Sequence, residues 1–253
     1  AGRVRGWARV PTAPCIGLAA LFMRNRFDDE VMVVLPADHL VRPTETFCET
    51  LQAASKIAAE HSVLITIGIR PTYPATGYGY IQCSDEAMTD GKIKSLKVKT
   101  FAEKPNLETA KRFLTSGDFL WNSGMFVWRV STIMAQFEEY LPQLSDGLDE
   151  IEQHLGKPSQ QETINRVYQQ IKSISIDYGV MEKTSKPIYV LKAEFGWSDV
   201  GSWQALYDLR RAECDGQGNL SLGDSMIIDA KRNLVFSTTD RKVALLGVED
   251  LVV

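Results

Sequence analysis

The pattern of hydrophobic positions begins with a short apolar run at 31–35 that predicts a buried strand. The run Val-Met-Val-Val-Leu is continuous rather than alternating, which is typical of a strand buried on both faces. Pro36 cannot donate to a ladder, so we expect the strand to end there and Asp38 to lie just past its carboxyl end. Ligands of open α/β sheets bind at that edge, but aspartate is as typical of a cap, and both interpretations of Asp38 stay open.

Helical and extended patterns alternate along the rest of the chain. Apolar residues recur at helical spacing over 44–60, and a β-rich run follows at 63–69, so a strand–helix–strand unit with parallel neighbouring strands is predicted. Further strands are predicted at 93–101, 119–130 and 186–191. Further helices are predicted at 16–23, 107–115, 131–141, 144–155 and after 159, where Ser159 to Glu162 form a capping box. The predicted fold class is α/β.

The pattern changes beyond Gly216, where short β-rich runs appear at 226–228, 234–236 and 243–246. Turn-like breaks between these runs predict a small β appendage. We therefore divide the chain into a larger domain at 1–215 and the start of a small β domain at 216–253.

Composition and charge narrow the class of protein. Hydrophobic residues make up 44% and charged residues 24%, as in an ordinary globular protein, and the net charge of −4 argues against a nucleic-acid partner. No apolar run approaches the ~20 residues that a membrane helix needs. The four cysteines form no C-x-x-C motif and have no histidine at metal-ligand spacing, which favours reduced thiols in a cytoplasmic protein.

Four further stretches place polar residues where a packed core would not need them. The glycines of 76–80 would let a ligand approach the backbone, although a tight turn fits equally well. Lys104 suits a phosphate and Glu103 suits sugar hydroxyls, but on this pair alone an exposed charge pair is favoured. Asn122 lies among aromatic residues and could bind hydroxyls or satisfy buried backbone groups. Asp199 stands between two tryptophans and two glycines, and there a ligand site is favoured over an N-cap.

These stretches together resemble the bacterial mannose-1-phosphate guanylyltransferases of the sugar nucleotidyltransferase superfamily. Each motif is weak alone, and their shared order carries the resemblance. The motifs are Thr-Ala-Pro at 12–14, Leu-Pro-Ala-Asp-His at 35–39, Thr-Gly-Tyr-Gly-Tyr-Ile at 76–81, Phe-Ala-Glu-Lys-Pro at 101–105, Trp-Asn-Ser-Gly-Met-Phe at 121–126, Ser-Ile-Asp-Tyr-Gly-Val-Met-Glu at 175–182 and Gly-Trp-Ser-Asp-Val-Gly-Ser-Trp at 196–203.

The resemblance implies a Rossmann-like nucleotidyltransferase domain with a mixed, mainly parallel sheet. The implied reaction transfers GMP from GTP to mannose 1-phosphate with Mg²⁺, giving GDP-mannose and pyrophosphate. Asp38 and Asp199 fall on the metal-binding aspartates, and these two residues and Lys104 are the implied catalytic groups. The other implied substrate contacts are Gly77, Glu103 and Asn122 for the sugar phosphate, and Thr12, Ala13 and Pro14 near the nucleotide base.

The chain also departs from the family pattern. The glycine-rich phosphate loop that opens the family is not found, Ala1 to Val10 matches no family motif, and Ala75 stands where the family usually has Glu. We therefore expect little synthesis of GDP-mannose by these 253 residues alone. The alternatives are a non-catalytic sugar-phosphate-binding or regulatory relative and a nucleotidyltransferase for another sugar 1-phosphate, and assembly into a homo-oligomer stays open.

Overall fold

A computed structural model describes residues 12–90 and 93–253, so the expectations about Ala1 to Val10 lie outside the described residues. The chain divides into two compact units. The first comprises the described residues up to Ala37 together with Arg42–Phe195, and the second comprises Asp38–Val41 and Gly196–Val253. In the described part of the chain, no helix is both long and apolar enough to cross a membrane.

The first unit is organised around a mixed sheet. Its strands are β1 (Val31–Val34), β3 (Leu64–Ile69), β4 (Tyr80–Asp90), β5 (Ile93–Ala102), β6 (Phe119–Arg129) and β7 (Ile188–Lys192), in the order β1-β6-β3-β7-β5-β4. Strands β1, β3, β4 and β7 run in one direction, whereas β5 and β6 run in the other. The predicted α/β class with a mixed, Rossmann-like sheet is confirmed, although β3–β7 is the one parallel hydrogen-bonded pair among the described strands of this sheet.

The structure corrects the predicted surroundings of β1. This strand stands at the edge of the described sheet, so Val33 is 39% exposed and the strand is not buried on both faces. Strand β3 is the one that is buried at every position. The two strands do run in the same direction, but β6 lies between them and pairs antiparallel with each, so the predicted parallel neighbours are wrong.

The helices of the first unit follow the predicted pattern closely. They are α1 (Thr12–Arg24), α2 (Thr44–His61), α3 (Leu107–Ser116), α4 (Val130–Tyr140), α5 (Pro142–Glu152), α6 (Gln160–Gln170) and a π-helical turn at Asp177–Met181. Apolar faces of α1, α4 and α5 meet in one cluster that includes Leu21, Phe137 and Leu148, each fully buried. Removing such side chains from water is the main stabilising contribution to these contacts.

The capping box predicted at Ser159 is not formed. Ser159 has helical angles (φ −78, ψ −5), whereas an N-cap residue needs an extended backbone to aim its side chain at the helix amides. Its hydroxyl instead lies 2.8 Å from Nδ1 of His154. A contact with the preceding turn therefore replaces the cap that the sequence predicted.

The second unit contains the C-terminal β appendage. Strands β2 (Leu40–Arg42) and β8 (Gly196–Ser198) pair with each other, and α7 (Trp203–Leu209) and a 3₁₀ turn (Arg211–Glu213) follow β8. The remaining strands are β9 (Leu220–Leu222), β10 (Ser225–Ile228), β11 (Leu234–Phe236) and β12 (Val243–Leu246), with β9 parallel to β11 and β10 parallel to β12.

Two buried asparagines stack between successive turns of this appendage. Asn219 is 3% exposed and Asn233 is fully buried. Nδ2 of Asn233 donates to Oδ1 of Asn219 at 2.9 Å, and Oδ1 of Asn233 accepts from the Leu251 amide at 3.0 Å. Asn219 in turn donates to the Asp215 carboxylate at 2.9 Å. The ladder satisfies backbone groups that the bends between short strands would otherwise leave unpaired.

The unit boundary differs from the predicted domain boundary at residue 215. The indole of Trp203 packs against Phe236 with ring centroids 5.4 Å apart, and the Tyr207 hydroxyl donates to the Gly218 carbonyl at 2.6 Å. These contacts tie α7 to the appendage, so the compact unit includes it. The division into domains at 1–215 and 216–253 stays a prediction.

Candidate functional site

Three of the predicted polar stretches meet in the first unit. Tyr80, at the start of β4, lies opposite both Ala102 at the end of β5 and Trp121 near the start of β6. The residues just outside these positions are therefore neighbours. The Lys104 amide donates to the Tyr78 carbonyl at 3.2 Å, and the Asn122 amide donates to the Gly79 carbonyl at 2.8 Å.

Glu103 and Lys104 form an ion pair at this junction. Nζ of Lys104 lies 2.9 Å from Oε1 of Glu103, and the Glu103 side chain is 15% exposed whereas that of Lys104 is 59% exposed. The hydrogen bond from Lys104 to Glu103, with the negative charge of Glu103, raises the pKa of the Lys104 ammonium. The lysine backbone has φ +48, an uncommon conformation for a residue other than glycine. The ammonium stays charged and reaches solvent, where it can bind a phosphate.

The glycine that approaches this pair closely is Gly79 rather than Gly77. A Cβ atom added to Gly79 would overlap Oε2 of Glu103, whereas a Cβ added to Gly77 would meet no protein atom within 4 Å. Gly77 is exposed, as a residue whose backbone contacts a ligand would be. The predicted sugar-phosphate contact of Gly77 stays a prediction.

The amide of Asn122 is held from both sides. Its Nδ2 donates to Oδ1 of Asp177 at 2.8 Å. Its Oδ1 accepts from the Gly124 amide and from the hydroxyl of the buried Thr66, each at 3.2 Å. The second N–H of Asn122 makes no hydrogen bond within residues 12–90 and 93–253 and is available for a ligand.

Asp177 and Glu182 were missed as individual site residues. Burial, and then the charge of Glu103, raises the pKa of the Asp177 carboxyl. Burial, and again the charge of Glu103, raises the pKa of Glu182. The signal that could have found them is the Ser-Ile-Asp-Tyr-Gly-Val-Met-Glu motif, which contains both carboxylates.

Aromatic rings line the same region. Trp121 has ring centroids 4.9 Å from Tyr73 and 5.0 Å from Tyr78, and the two tyrosine hydroxyls lie 3.4 Å apart. Tyr73 is 51% exposed. An exposed aromatic ring combines an apolar face with a polar tip, which suits a sugar. Tyr78 belongs to the motif at 76–81, whereas Tyr73 lies outside all of the motifs.

Asp38 and Asp199 belong to the second unit, and the charges of both act on the imidazole of His39. Nε1 of Trp197 donates to Nδ1 of His39 at 3.1 Å. Burial lowers the pKa of His39, and the charges of Asp38 and Asp199 both oppose that effect. Both carboxylates therefore lie close enough to the imidazole to act on it electrostatically.

The N-cap alternative for Asp199 does not hold, because Ser202 caps α7 by accepting from the Ala205 amide at 3.1 Å. Oδ1 of Asp199 instead accepts from the Gly201 amide at 3.2 Å. Between these two residues, Val200 has φ +48, which is a genuine outlier for a β-branched side chain. Such outliers cluster at ligand sites, where the surroundings hold the backbone in place.

The chemistry of this pair fits a magnesium ion that is completed by phosphate oxygens. Within the described residues, no cluster of three or more His, Cys, Asp or Glu side chains could hold a metal ion by itself. Mg²⁺ typically takes one or two carboxylates, with water and substrate phosphates as its other ligands. Asp38 and Asp199 match that donor set.

The predicted base-contacting segment at 12–14 is held against the helical part of the first unit. Oγ1 of Thr12 accepts from the Ile176 amide at 2.8 Å, and the Pro14 carbonyl accepts from the Tyr168 hydroxyl at 2.6 Å. Ala13 and Pro14 are buried, and the Ala13 amide donates to the Ile174 carbonyl at 3.3 Å, whereas Thr12 is exposed. Contact of this segment with the nucleotide stays a prediction.

Known proteins are similar to this chain in sequence and in fold. Residues 6–216 match the family described as Nucleotidyl transferase. The mannose-1-phosphate guanylyltransferase of Escherichia coli is 36% identical over 96% of this chain, and the xanthan biosynthesis protein XanB of Xanthomonas campestris is 37% identical over 96%. The matched parts are 52% and 50% of those proteins, so the chain spans about half the length of the curated relatives it matches.

A solved structure agrees with these matches. The crystal structure of mannose-1-phosphate geranyltransferase from Thermus thermophilus superposes with a TM-score of 0.80 and 32% identity. The match covers 97% of this chain and 68% of that one.

Proposed function

The chain belongs to the nucleotidyl transferase family, and we propose that it transfers GMP from GTP to mannose 1-phosphate, giving GDP-mannose and pyrophosphate. The observation that carries the proposal is the junction at which Glu103, Lys104 and Asn122 present a carboxylate, an ammonium and an oriented amide. These groups suit a sugar that carries a phosphate. The similarity to mannose-1-phosphate guanylyltransferases supports mannose and guanine as the sugar and the base.

In this reaction a phosphate oxygen of mannose 1-phosphate attacks the α-phosphorus of GTP. A new P–O bond forms as the bond to the bridging oxygen of the β-phosphate breaks, and pyrophosphate leaves with the bonding electron pair. Such a transfer needs positioning and neutralisation of charge rather than a protein nucleophile. Lys104 would pair with the phosphate of the sugar, and Glu103 and Asn122 would bind its hydroxyls.

Asp38 and Asp199 would hold the Mg²⁺ ion in this proposal. When bound, the ion would neutralise phosphate charge and orient the triphosphate for in-line attack. The segment from Thr12 to Pro14 would lie near the guanine base.

The test is release of pyrophosphate by the purified full-length protein with Mg²⁺. GTP with mannose 1-phosphate should give turnover near the ~10 s⁻¹ that is typical of enzymes, and UTP or glucose 1-phosphate should give far less. A preference for glucose 1-phosphate would show that mannose 1-phosphate is not the substrate. Binding of mannose 1-phosphate without turnover would instead favour a non-catalytic relative.

A further inference from the structure

The hydrogen bonds around Asn122 determine which way its amide points. The Gly124 amide can only donate, and it lies 3.2 Å from the atom assigned as Oδ1. A carboxylate can only accept, and Asp177 lies 2.8 Å from the atom assigned as Nδ2. Turning the amide over would set donor against donor and acceptor against acceptor, so one orientation is strongly favoured.

Asp177 is the acceptor that fixes the position of Nδ2 in the Asn122 amide. An asparagine in its place could also accept from Asn122, but its own amide could turn over and present a donor. A carboxylate has no such alternative. An acidic residue here therefore fixes the orientation of the Asn122 amide, whose second N–H has no partner among the described residues.

The ionised form of Asp177 is energetically unfavourable at this position. Asp177 opens the π-helical turn, whose following residues Gly179, Val180 and Met181 are buried. Burial and the negative charge of Glu103 both favour the protonated form of Asp177 and raise its pKa. A purely structural hydrogen bond could be made by a neutral residue at lower cost, so the charge is better explained by a site role.

We propose that Asp177 is a positioning residue for the sugar phosphate, and that it acts by anchoring Asn122 so that the free N–H of that amide donates to the substrate. The inference rests on the proposed function, because it assigns the ligand of Asn122 to the sugar-phosphate substrate. It predicts that Asp177 contributes to substrate affinity only through Asn122.

Kinetics of variants in the full-length protein test this dependence. Asp177→Ala should raise KM for mannose 1-phosphate about tenfold, the scale of one hydrogen bond to a charged or oriented group, with kcat within about twofold. Asp177→Asn should have a smaller effect, because its amide oxygen can still accept. The double variant Asp177→Ala, Asn122→Ala should be no worse than Asn122→Ala alone, because both changes remove one interaction.

The chain offers a matched control in the same sheet. Nε2 of Gln82 donates to Oδ2 of Asp118 at 2.8 Å, which is a carboxylate–amide pair of the same length outside the predicted motifs. Asp118→Ala should leave KM unchanged. The inference is overturned if Asp177→Ala leaves KM unchanged, if it lowers only kcat or the melting temperature, or if its effect adds fully to that of Asn122→Ala.

A second measurement separates failure of this inference from failure of the proposed function. The side-chain amide signals of Asn122 in ¹⁵N NMR spectra of the wild-type protein should shift when mannose 1-phosphate is added without GTP, and the shift should weaken in Asp177→Ala. If the wild-type protein shows this shift but no turnover, the proposed function is contradicted and the positioning role of Asp177 is supported. Amide signals that do not respond to the sugar phosphate would overturn the positioning role whatever the turnover.

Discussion

Replacing Gly79 with alanine tests the contribution of the Glu103 carboxylate to binding of the sugar phosphate. The added Cβ would overlap Oε2 of Glu103 and would lie 3.3 Å from Cβ of Asn122. Gly79 does not have a positive φ, so its backbone accepts alanine without strain. The carboxylate is the far end of a flexible side chain and can move aside, which would take it away from Lys104 and from the sugar.

The expected magnitude follows from the interaction that is displaced. A hydrogen bond to a charged group contributes about 1.5–3 kcal/mol, which corresponds to a roughly 10- to 100-fold loss in kcat/KM for mannose 1-phosphate. The fold should change less, because the atom that must move is the far end of a flexible side chain rather than backbone. We therefore expect KM to rise and the melting temperature to stay within about 2 °C.

The assay is pyrophosphate release at varied mannose 1-phosphate, with thermal unfolding of the same samples. Gly216→Ala is the control, because its Cβ would meet no protein atom within 4 Å and the position lies outside the predicted motifs. Gly77→Ala adds a separate measurement, since its methyl group meets no protein atom and any rise in KM would report a ligand lying there. An unchanged KM in a well-folded Gly79→Ala protein would refute the role of Glu103 in sugar binding.

Three further outcomes are expected. Asp38→Asn and Asp199→Asn should each lower kcat by about 10²-fold or more in kinetics measured at varied Mg²⁺. The double variant should be little worse than either single variant, because the effects of residues that act on one ion are not additive. Asn233→Ala should lower the free energy of unfolding by about 2–4 kcal/mol in denaturant titrations, because it breaks a buried hydrogen-bonded ladder. Hydrogen bonds from Asn219 lower the pKa of Asp215, so its stabilising contribution is present above the ordinary aspartate pKa and is lost as the pH falls through the folded value. Asp215→Ala should therefore flatten the acid limb of the melting-temperature profile, and an unchanged limb would contradict this.

The elements of the fold could largely be predicted from the sequence because local periodicity determines them. The predicted helix at 44–60 and strand at 63–69 correspond to α2 and β3, and the late β-rich runs correspond to strands of the appendage. The order of strands in the sheet could not be predicted. The apolar pattern of 119–129 is the same whichever neighbours β6 has, so nothing local indicates that it lies between β1 and β3.

The motifs predict individual residues of the candidate site but not which of those residues lie together. Glu103, Lys104 and Asn122 fall in separate stretches, and their juxtaposition depends on the register of β4 against β5 and β6. The partner of Asn122 could not be found this way, because Asp177 is distant in sequence and its role depends on the direction of one hydrogen bond. Similarly, spacing alone does not distinguish Gly79, which approaches a carboxylate, from Gly77, which faces open space.

Unfavourable local features coincide with these motifs, and a bound substrate explains why the chain would keep them. Burial, and then the charge of Glu103, raises the pKa of both Asp177 and Glu182, so the three carboxylates are held together against their own repulsion. Lys104 and Val200 both have positive φ, although neither is glycine. A fold selected for stability alone would relieve such costs, since neutral side chains and glycine are available at those positions. Sugar hydroxyls that donate to the carboxylates, and phosphate that pairs with Lys104, would offset them on binding. At Lys104 and Val200, departures from local preference therefore fall within the motifs at which substrate contacts are proposed, whereas Ser62, Asp229, Arg232 and Asp250 have positive φ outside them.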